Sequence, residues 1–223
     1  MEKKVFLRHD LAFITDKGKL FLQEQQLHFY QGTMLDMVEE ILMGPADIPG
    51  IVRRDEPISP ETIPIGFVHY LRLEDNRIRI PARVPIAEVS HVMRPYDVID
   101  LPVTPRHRCI EAAVMLAKLG QSMNLRVGVL GSVALEMATG LPYTDLDSDL
   151  DLLVQEASLE RLSAFAEEAR RLYPDVRMDV EVEFRNGYGV KIAEIFADTK
   201  TVLGKSLHDV ALLERQQITE YLS

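Results

Sequence analysis

The stretch Arg126-Val127-Gly128-Val129-Leu130-Gly131-Ser132, with Ser148-Asp149-Leu150-Asp151-Leu152-Leu153-Val154 further on, decides the fold. Its first half predicts a strand at 126–130, then a Gly131-Ser132 turn opening a short helix that closes near Gly140. A loop over 141–148 leads into a second strand at 149–154. Strand side chains alternate, so Asp149 and Asp151 share one face while Leu150, Leu152 and Val154 share the core face. Neighbouring carboxylates repel each other, and a hard divalent cation such as Mg²⁺ relieves that repulsion. The free N–H groups and positive dipole end of the helix opened by Gly131 and Ser132 favour a phosphate. A phosphate holder beside a metal holder predicts phosphoryl transfer.

Two other readings compete for the same acids. A solvated loop is one, but residues 150–154 are too apolar for it. A calcium loop is the other: Asp145, Asp147, Asp149, Asp151 and Glu156 fall at ligand positions of an EF-hand. The position that needs glycine for the sharp turn holds Leu150, and a strand stands where a flanking helix belongs.

The chain has 223 residues, enough for one large domain or two small ones. Hydrophobic residues make up 47% and charged residues 27%, an ordinary globular balance. No run of about 18 apolar residues predicts a membrane span, and the N-terminus lacks a signal-peptide pattern. The single cysteine, Cys109, fits a reducing cytoplasm and sits in a helical pattern as buried filler. A net charge of −10 opposes generic nucleic-acid binding, so the expected substrate is not a polynucleotide.

Around the central stretch, residues 1–22 suggest a hairpin turning at Asp16-Lys17-Gly18. A helix is expected from Thr33 to Gly44-Pro45, with Met34, Met37 and Met43 as core filler. The proline-rich segment that follows predicts short strands at 51–54, 63–69, 71–73 and 77–80, the last two joined by Glu74-Asp75-Asn76. Residues 51–108 hold nine arginines against eight acids, a balance of +1 that leaves −11 on the rest. Arg53 and Arg54 are therefore candidates to face a phosphorylated substrate, or equally structural; Arg77 and Arg79 fit the wet face of an edge strand. Pro105 opens an amphipathic helix closed by Gly120, and residues 158–173 predict another. Residues 177–184 alternate strictly, with Asp179, Glu181 and Glu183 on one face. Asn186-Gly187 predicts a hairpin returning as a strand at 190–196, and a helix is expected from Ser206 to the C-terminus.

Gly-Ser, a gap, Asp-x-Asp on a strand and a later acid resemble the polymerase-β-like nucleotidyltransferase fold. The fold class expected is α+β: a nucleotidyltransferase domain at 105–223, preceded by a smaller, mainly β domain at 1–104. Gly131-Ser132, Thr139-Gly140-Leu141-Pro142 and Ser148-Asp149-Leu150-Asp151-Leu152-Leu153 are similar to the phosphoribosyl-dephospho-CoA transferases, the holo-acyl-carrier-protein synthases of malonate decarboxylase. The similarity extends to His9-Asp10-Leu11, Val52-Arg53-Arg54, Pro64-Ile65-Gly66, Asp179-Val180-Glu181 and Val202-Leu203-Gly204-Lys205. Residues 15–50 and 70–100 match poorly, and Val180 stands where the family favours glycine.

That resemblance implies a reaction. A serine of the apo-acyl carrier protein attacks the α-phosphorus of triphosphoribosyl-dephospho-CoA, and pyrophosphate leaves. Asp149 and Asp151 would hold Mg²⁺, and Gly131 and Ser132 the departing phosphates. Asp179 or Glu181 would complete the carboxylate set or take the serine proton. Lys205 would neutralise phosphate or merely end its strand; Arg53 and Arg54 would hold the rest of the substrate. Nucleotidyl transfer to another small alcohol or protein hydroxyl, and a non-catalytic carrier-binding subunit, are the alternatives; tRNA modification is disfavoured by charge.

Overall fold

The structure, a computed structural model, describes residues 5–55 and 59–222. The chain opens with β1 (Leu11–Ile14) and then α1 (Asp16–Gln26). The hairpin expected at residues 1–22 is thus corrected. Thr15 caps the helix by accepting from the Gly18 backbone N–H at 3.1 Å, so Asp16 is a first-turn acid instead of a turn residue. Gly18 is needed for packing: an added Cβ would lie 2.8 Å from Ile14 and 2.9 Å from Glu88. Next come α2 (Thr33–Met43), β2 (Gly50–Val52), β3 (Thr62–Leu73), β4 (Asn76–Pro85) and β5 (Val89–Met93). The expected strands 63–69 and 71–73 are one continuous strand. The chain turns into β4 at Glu74-Asp75, both at positive φ. These strands form one antiparallel sheet in the order β4-β3-β2-β1-β5.

A short α3 (Pro95–Val98) leads to α4 (Arg108–Ser122), β6 (Val127–Val129), α5 (Gly131–Thr139), β7 (Leu150–Gln155), α6 (Leu159–Leu172) and β8 (Met178–Glu183). Then follow β9 (Gly189–Lys191), α7 (Ile192–Phe196), β10 (Thr201–Lys205), β11 (Val210–Glu214) and α8 (Arg215–Tyr221). Two further expectations are corrected here. The strand predicted at 190–196 ends at Lys191 and becomes a helical turn, whose last carbonyls accept from the Arg215 guanidinium. The helix expected from Ser206 is mostly a β10–β11 hairpin. Ser206 closes that hairpin by bonding Asp209, and only Arg215–Tyr221 is helical.

The second sheet runs β11-β10-β9-β8-β7-β6, with β7 and β8 parallel and the other pairs antiparallel. Its core face carries Leu150, Leu152, Val154, Val180 and Val182 against α4 and α6. Its other face is the acid face, and the first sheet lies across part of it. β1 is buried along its whole length: Leu11 and Phe13 belong to the second sheet's core, Ala12 and Ile14 to the first's. One four-residue strand thus serves two cores by simple alternation. At Gly128 an added Cβ would lie 2.6 Å from the Pro95 carbonyl carbon, so α3 passes directly over β6. Cys109 is buried, as its helical setting predicts. Among the described residues no helix is long and apolar enough to cross a membrane.

Candidate active site

Register builds the site. β7 and β8 pair in parallel with Asp151 opposite Asp179 and Leu153 opposite Glu181. The acid face therefore carries Asp149, at the entry to β7, with Asp151 and Asp179, and further along Glu181 and Glu183. β7 begins at Leu150, so Asp149 lies just before the strand and is exposed; an ion pair with Arg177 at 2.7 Å holds it. Asp179 is held at 2.5 Å by Lys191 Nζ from the neighbouring strand. Asp151 sits between them with no hydrogen bond or ion pair to its carboxylate among the described residues. Burial, then the charges of Asp179 and Asp149, push its pKa upward.

The turn before α5 closes onto this carboxylate. Gly131 has φ +60, and a Cβ there would come within 2.6 Å of Asp151 Oδ2. Glycine is required twice over, for the backbone conformation and for the approach. Leu130, at the helix N-cap, offers no side-chain acceptor, so the first-turn N–H groups stay available to an anion beside Ser132. The loop 141–148 is fixed from both sides. Glu136, buried in α5, accepts from Thr144 N and Oγ1, both at 2.7 Å, and pairs with Arg106 Nε at 3.1 Å. Arg72 pairs with Asp145 at 3.0 Å, Arg77 donates to the Tyr143 carbonyl, and Tyr143 Oη donates to the Val68 carbonyl at 2.9 Å. Arg77 is thus half-buried and bridges the β4 edge to the loop, a correction to its expected solvated place. A calcium loop is excluded, because Asp145 is tied to Ser148 and Arg72 and the following residues are β7.

The acids further along meet the first sheet. Glu181 Oε1 accepts from Arg8 and lies 3.6 Å from His9 Nε2. Burial alone would raise its pKa, but Arg8 and His9 outweigh that and hold it down at about 2. Arg94 Nη2 spans both oxygens of Glu183, at 3.0 and 2.9 Å, and Nη1 lies 3.1 Å from the buried Asp10. Asp179 stands level with Asp151, whereas Glu181, one strand repeat further on, accepts from Arg8 of the N-terminal segment.

The remaining expected residues are less concentrated. Arg53 and Arg54 are exposed at the end of β2, next to the His9 turn, where Val52 accepts the His9 N–H at 2.9 Å. Lys205 lies on β10 opposite Gly189, about 14 Å from β7 at a usual strand spacing, so it does not meet the α5 N-terminus. Sequence reasoning missed Lys191, Arg177, Arg94, Arg8 and the place of His9. Lys191 was reachable, since a hairpin turning at Asn186-Gly187 sets it opposite Glu181.

Mg²⁺ is commonly held by one or two carboxylates, retained waters and substrate phosphates, without a full protein cage. This site fits that description. No group of three or more His, Cys, Asp or Glu side chains among the described residues is gathered to hold an ion alone. Asp151, desolvated and without a partner, has the most to gain from a cation.

Comparison with known proteins gives one consistent answer. The N-terminal domain of the phosphoribosyl-dephospho-CoA transferase MdcG matches residues 7–95, and its C-terminal domain matches residues 98–216. A phosphoribosyl-dephospho-CoA transferase of Bradyrhizobium diazoefficiens is 25% identical over 94% of this chain and 91% of its own length. Another, from Xanthomonas euvesicatoria, is 29% identical over 76% of this chain and 80% of its own length. No solved structure matches.

Proposed function

The chain belongs to the phosphoribosyl-dephospho-CoA transferase family, and from that premise we propose that transfer takes place in the cleft between Asp151 and the α5 N-terminus. The observation that carries this is the closure of Gly131 onto the desolvated, partnerless Asp151, level with Asp179. The donor is triphosphoribosyl-dephospho-CoA and the acceptor a serine of the malonate decarboxylase apo-acyl carrier protein. The second sheet with its flanking helices is of the polymerase-β-like nucleotidyltransferase kind.

Asp149 and Asp151 hold Mg²⁺, and Asp179 completes the acid set. Held by these carboxylates, Mg²⁺ would supply charge stabilisation for the phosphoryl oxygens. The first-turn N–H groups of α5 and Ser132 bind the departing phosphates at the positive end of the helix dipole. Lys191 and Arg177 balance the acids around the reacting group. Arg53 and Arg54 lie where the rest of the donor extends, and Lys205 adds positive charge further along the sheet. Positioning and charge stabilisation provide the catalysis, because the phosphoryl group needs little covalent help.

The test combines the enzyme, Mg²⁺, the triphosphoribosyl donor and the apo carrier. Intact mass should rise by one phosphoribosyl-dephospho-CoA group on a single serine, with matching pyrophosphate release. Efficient transfer from ATP with none from the dephospho-CoA donor would refute the reading.

A further inference from the structure

Residues Arg8, His9 and Asp10 enter β1 through a turn that a histidine adopts only at a cost. His9 has φ +74, a left-handed conformation that is strained for a residue with a side chain. The turn is held in place from several sides. His9 N–H donates to Val52 O at 2.9 Å, and Asp10 Oδ2 accepts from Leu7 N at 2.8 Å. Asp10, fully buried, faces Arg94. This scaffold turns the imidazole onto the acid face. Nε2 is buried with no hydrogen-bond partner, 3.6 Å from Glu181 Oε1. The side chain is one-quarter exposed, and no hydrogen bond engages Nδ1 among the described residues. Glu181 lies two residues along β8 from Asp179, which stands level with Asp151, so the imidazole sits one strand repeat from the open acids.

The transfer reaction releases a proton from the acceptor hydroxyl, and the acids of the cleft are poorly placed to take it. Asp179 is engaged by Lys191, Asp149 by Arg177 and Glu181 by Arg8. Among the described residues, His9 is the base at the junction of the open and the covered acids whose ring makes no hydrogen bond.

We propose that His9 is the general base of the transfer: Nδ1 takes the proton of the acceptor hydroxyl, while Nε2–H closes the short gap to Glu181. As the hydroxyl oxygen bonds to the α-phosphorus, the bond from phosphorus to the pyrophosphate oxygen breaks and carries the electron pair away. The proton stays on His9 until the product leaves and then passes to water. Glu181, kept ionised by Arg8, fixes the tautomer and stabilises the imidazolium, a carboxylate–imidazole pairing whose distance shortens once substrate is bound.

This rests on the transfer reading, and the experiment separates the two. His9→Gly suits the backbone, since glycine adopts this φ without strain, so its melting temperature should not fall. Its kcat should drop roughly 10²–10⁴-fold while donor affinity, measured by calorimetry with Mg²⁺, stays unchanged. Added imidazole should restore part of the rate. His9→Asn, which tolerates the left-handed turn and still hydrogen-bonds but cannot accept a proton at neutral pH, should lose the same rate. Near-wild-type turnover in His9→Gly, full turnover in His9→Asn, or rate loss accompanied by lost donor binding and no imidazole rescue would each overturn the proposal. A wild type that transfers nothing to the carrier would instead sink the transfer reading, and the base role with it.

Discussion

The acid face of the second sheet carries two sets of carboxylates spaced alike in sequence and treated differently by the fold. Asp149, Asp151 and Asp179 stand together at one end of that face, with Gly131 closing onto Asp151; Glu181 and Glu183 lie under the first sheet, engaged by Arg8 and Arg94. All sit on one face, and Asp179, Glu181 and Glu183 are alternate residues of a single strand. In the cleft, a charge stripped of water has no partner, and its carboxylate is pushed toward the neutral form. Under the first sheet, a comparably enclosed carboxylate has an arginine against it and is held ionised. Burial is common to both, and the partner decides whether the acid is poised for a ligand or spent on structure.

Substitution at Asp151 should test the contrast most severely. Asp151→Asn is expected to lower kcat on the order of 10³-fold, the scale of several kcal/mol of lost charge stabilisation. Its melting temperature should hold or rise, because burial and neighbouring acids oppose the charge it removes. A folded variant with near-normal pyrophosphate release would move the chemistry out of the cleft. Gly131→Ala approaches the same carboxylate from the helix side. Strain at φ +60 and a Cβ 2.6 Å from Asp151 Oδ2 should cost about 10²-fold in kcat, the scale of a misplacement near 1 Å.

Glu181→Gln should report instead on stability. A carboxylate held at about 2, below its unfolded value, stabilises the fold above that unfolded value and loses the contribution as pH falls toward 2. Urea unfolding at neutral pH should show a loss of roughly 2–3 kcal/mol, and the acid-side decline in stability of the wild type should flatten in the variant. An unchanged acid limb would mean that Arg8 does not govern this acid. The smallest effect is expected at Arg53, exposed beside the His9 turn. Arg53→Ala should raise the donor KM up to about fivefold with kcat little changed, as befits a solvent-screened charge, and should reduce the salt dependence of binding.

Much of the cleft was legible in the chain. The alternation through 149–154 and 177–184 places the acids on one face, and a glycine before an apolar helix announces a backbone that must come close to something. The first sheet's hold on Glu181 was not legible, because Arg8 and Arg94 lie 173 and 89 residues away from the acids they engage. Helix α1 is hard to read because Asp-Lys-Gly has the composition of a turn; the Thr15 cap that opens the helix is local, but the Glu88 contacts that fix it are tertiary. The hairpin β10–β11 was hidden in the same way. The exposed Leu212 and the buried Leu213 give a strand signal only when paired with β10.

The sequence by itself determined which residues could share a face, since periodicity is a local property of the backbone. It placed Asp149 with Asp151 on one strand face, Asp179 with Glu181 on another, and Gly131-Ser132 at a helix start. Only the tertiary structure decided which of those acids stays open to a ligand and which is neutralised, and that a strained histidine from the other sheet stands between them. The reason is physical: a carboxylate's charge state and availability depend on the water it loses and the partner it gains. Here both are supplied by β1, its preceding turn and Arg94, segments far along the chain from the acids they reach.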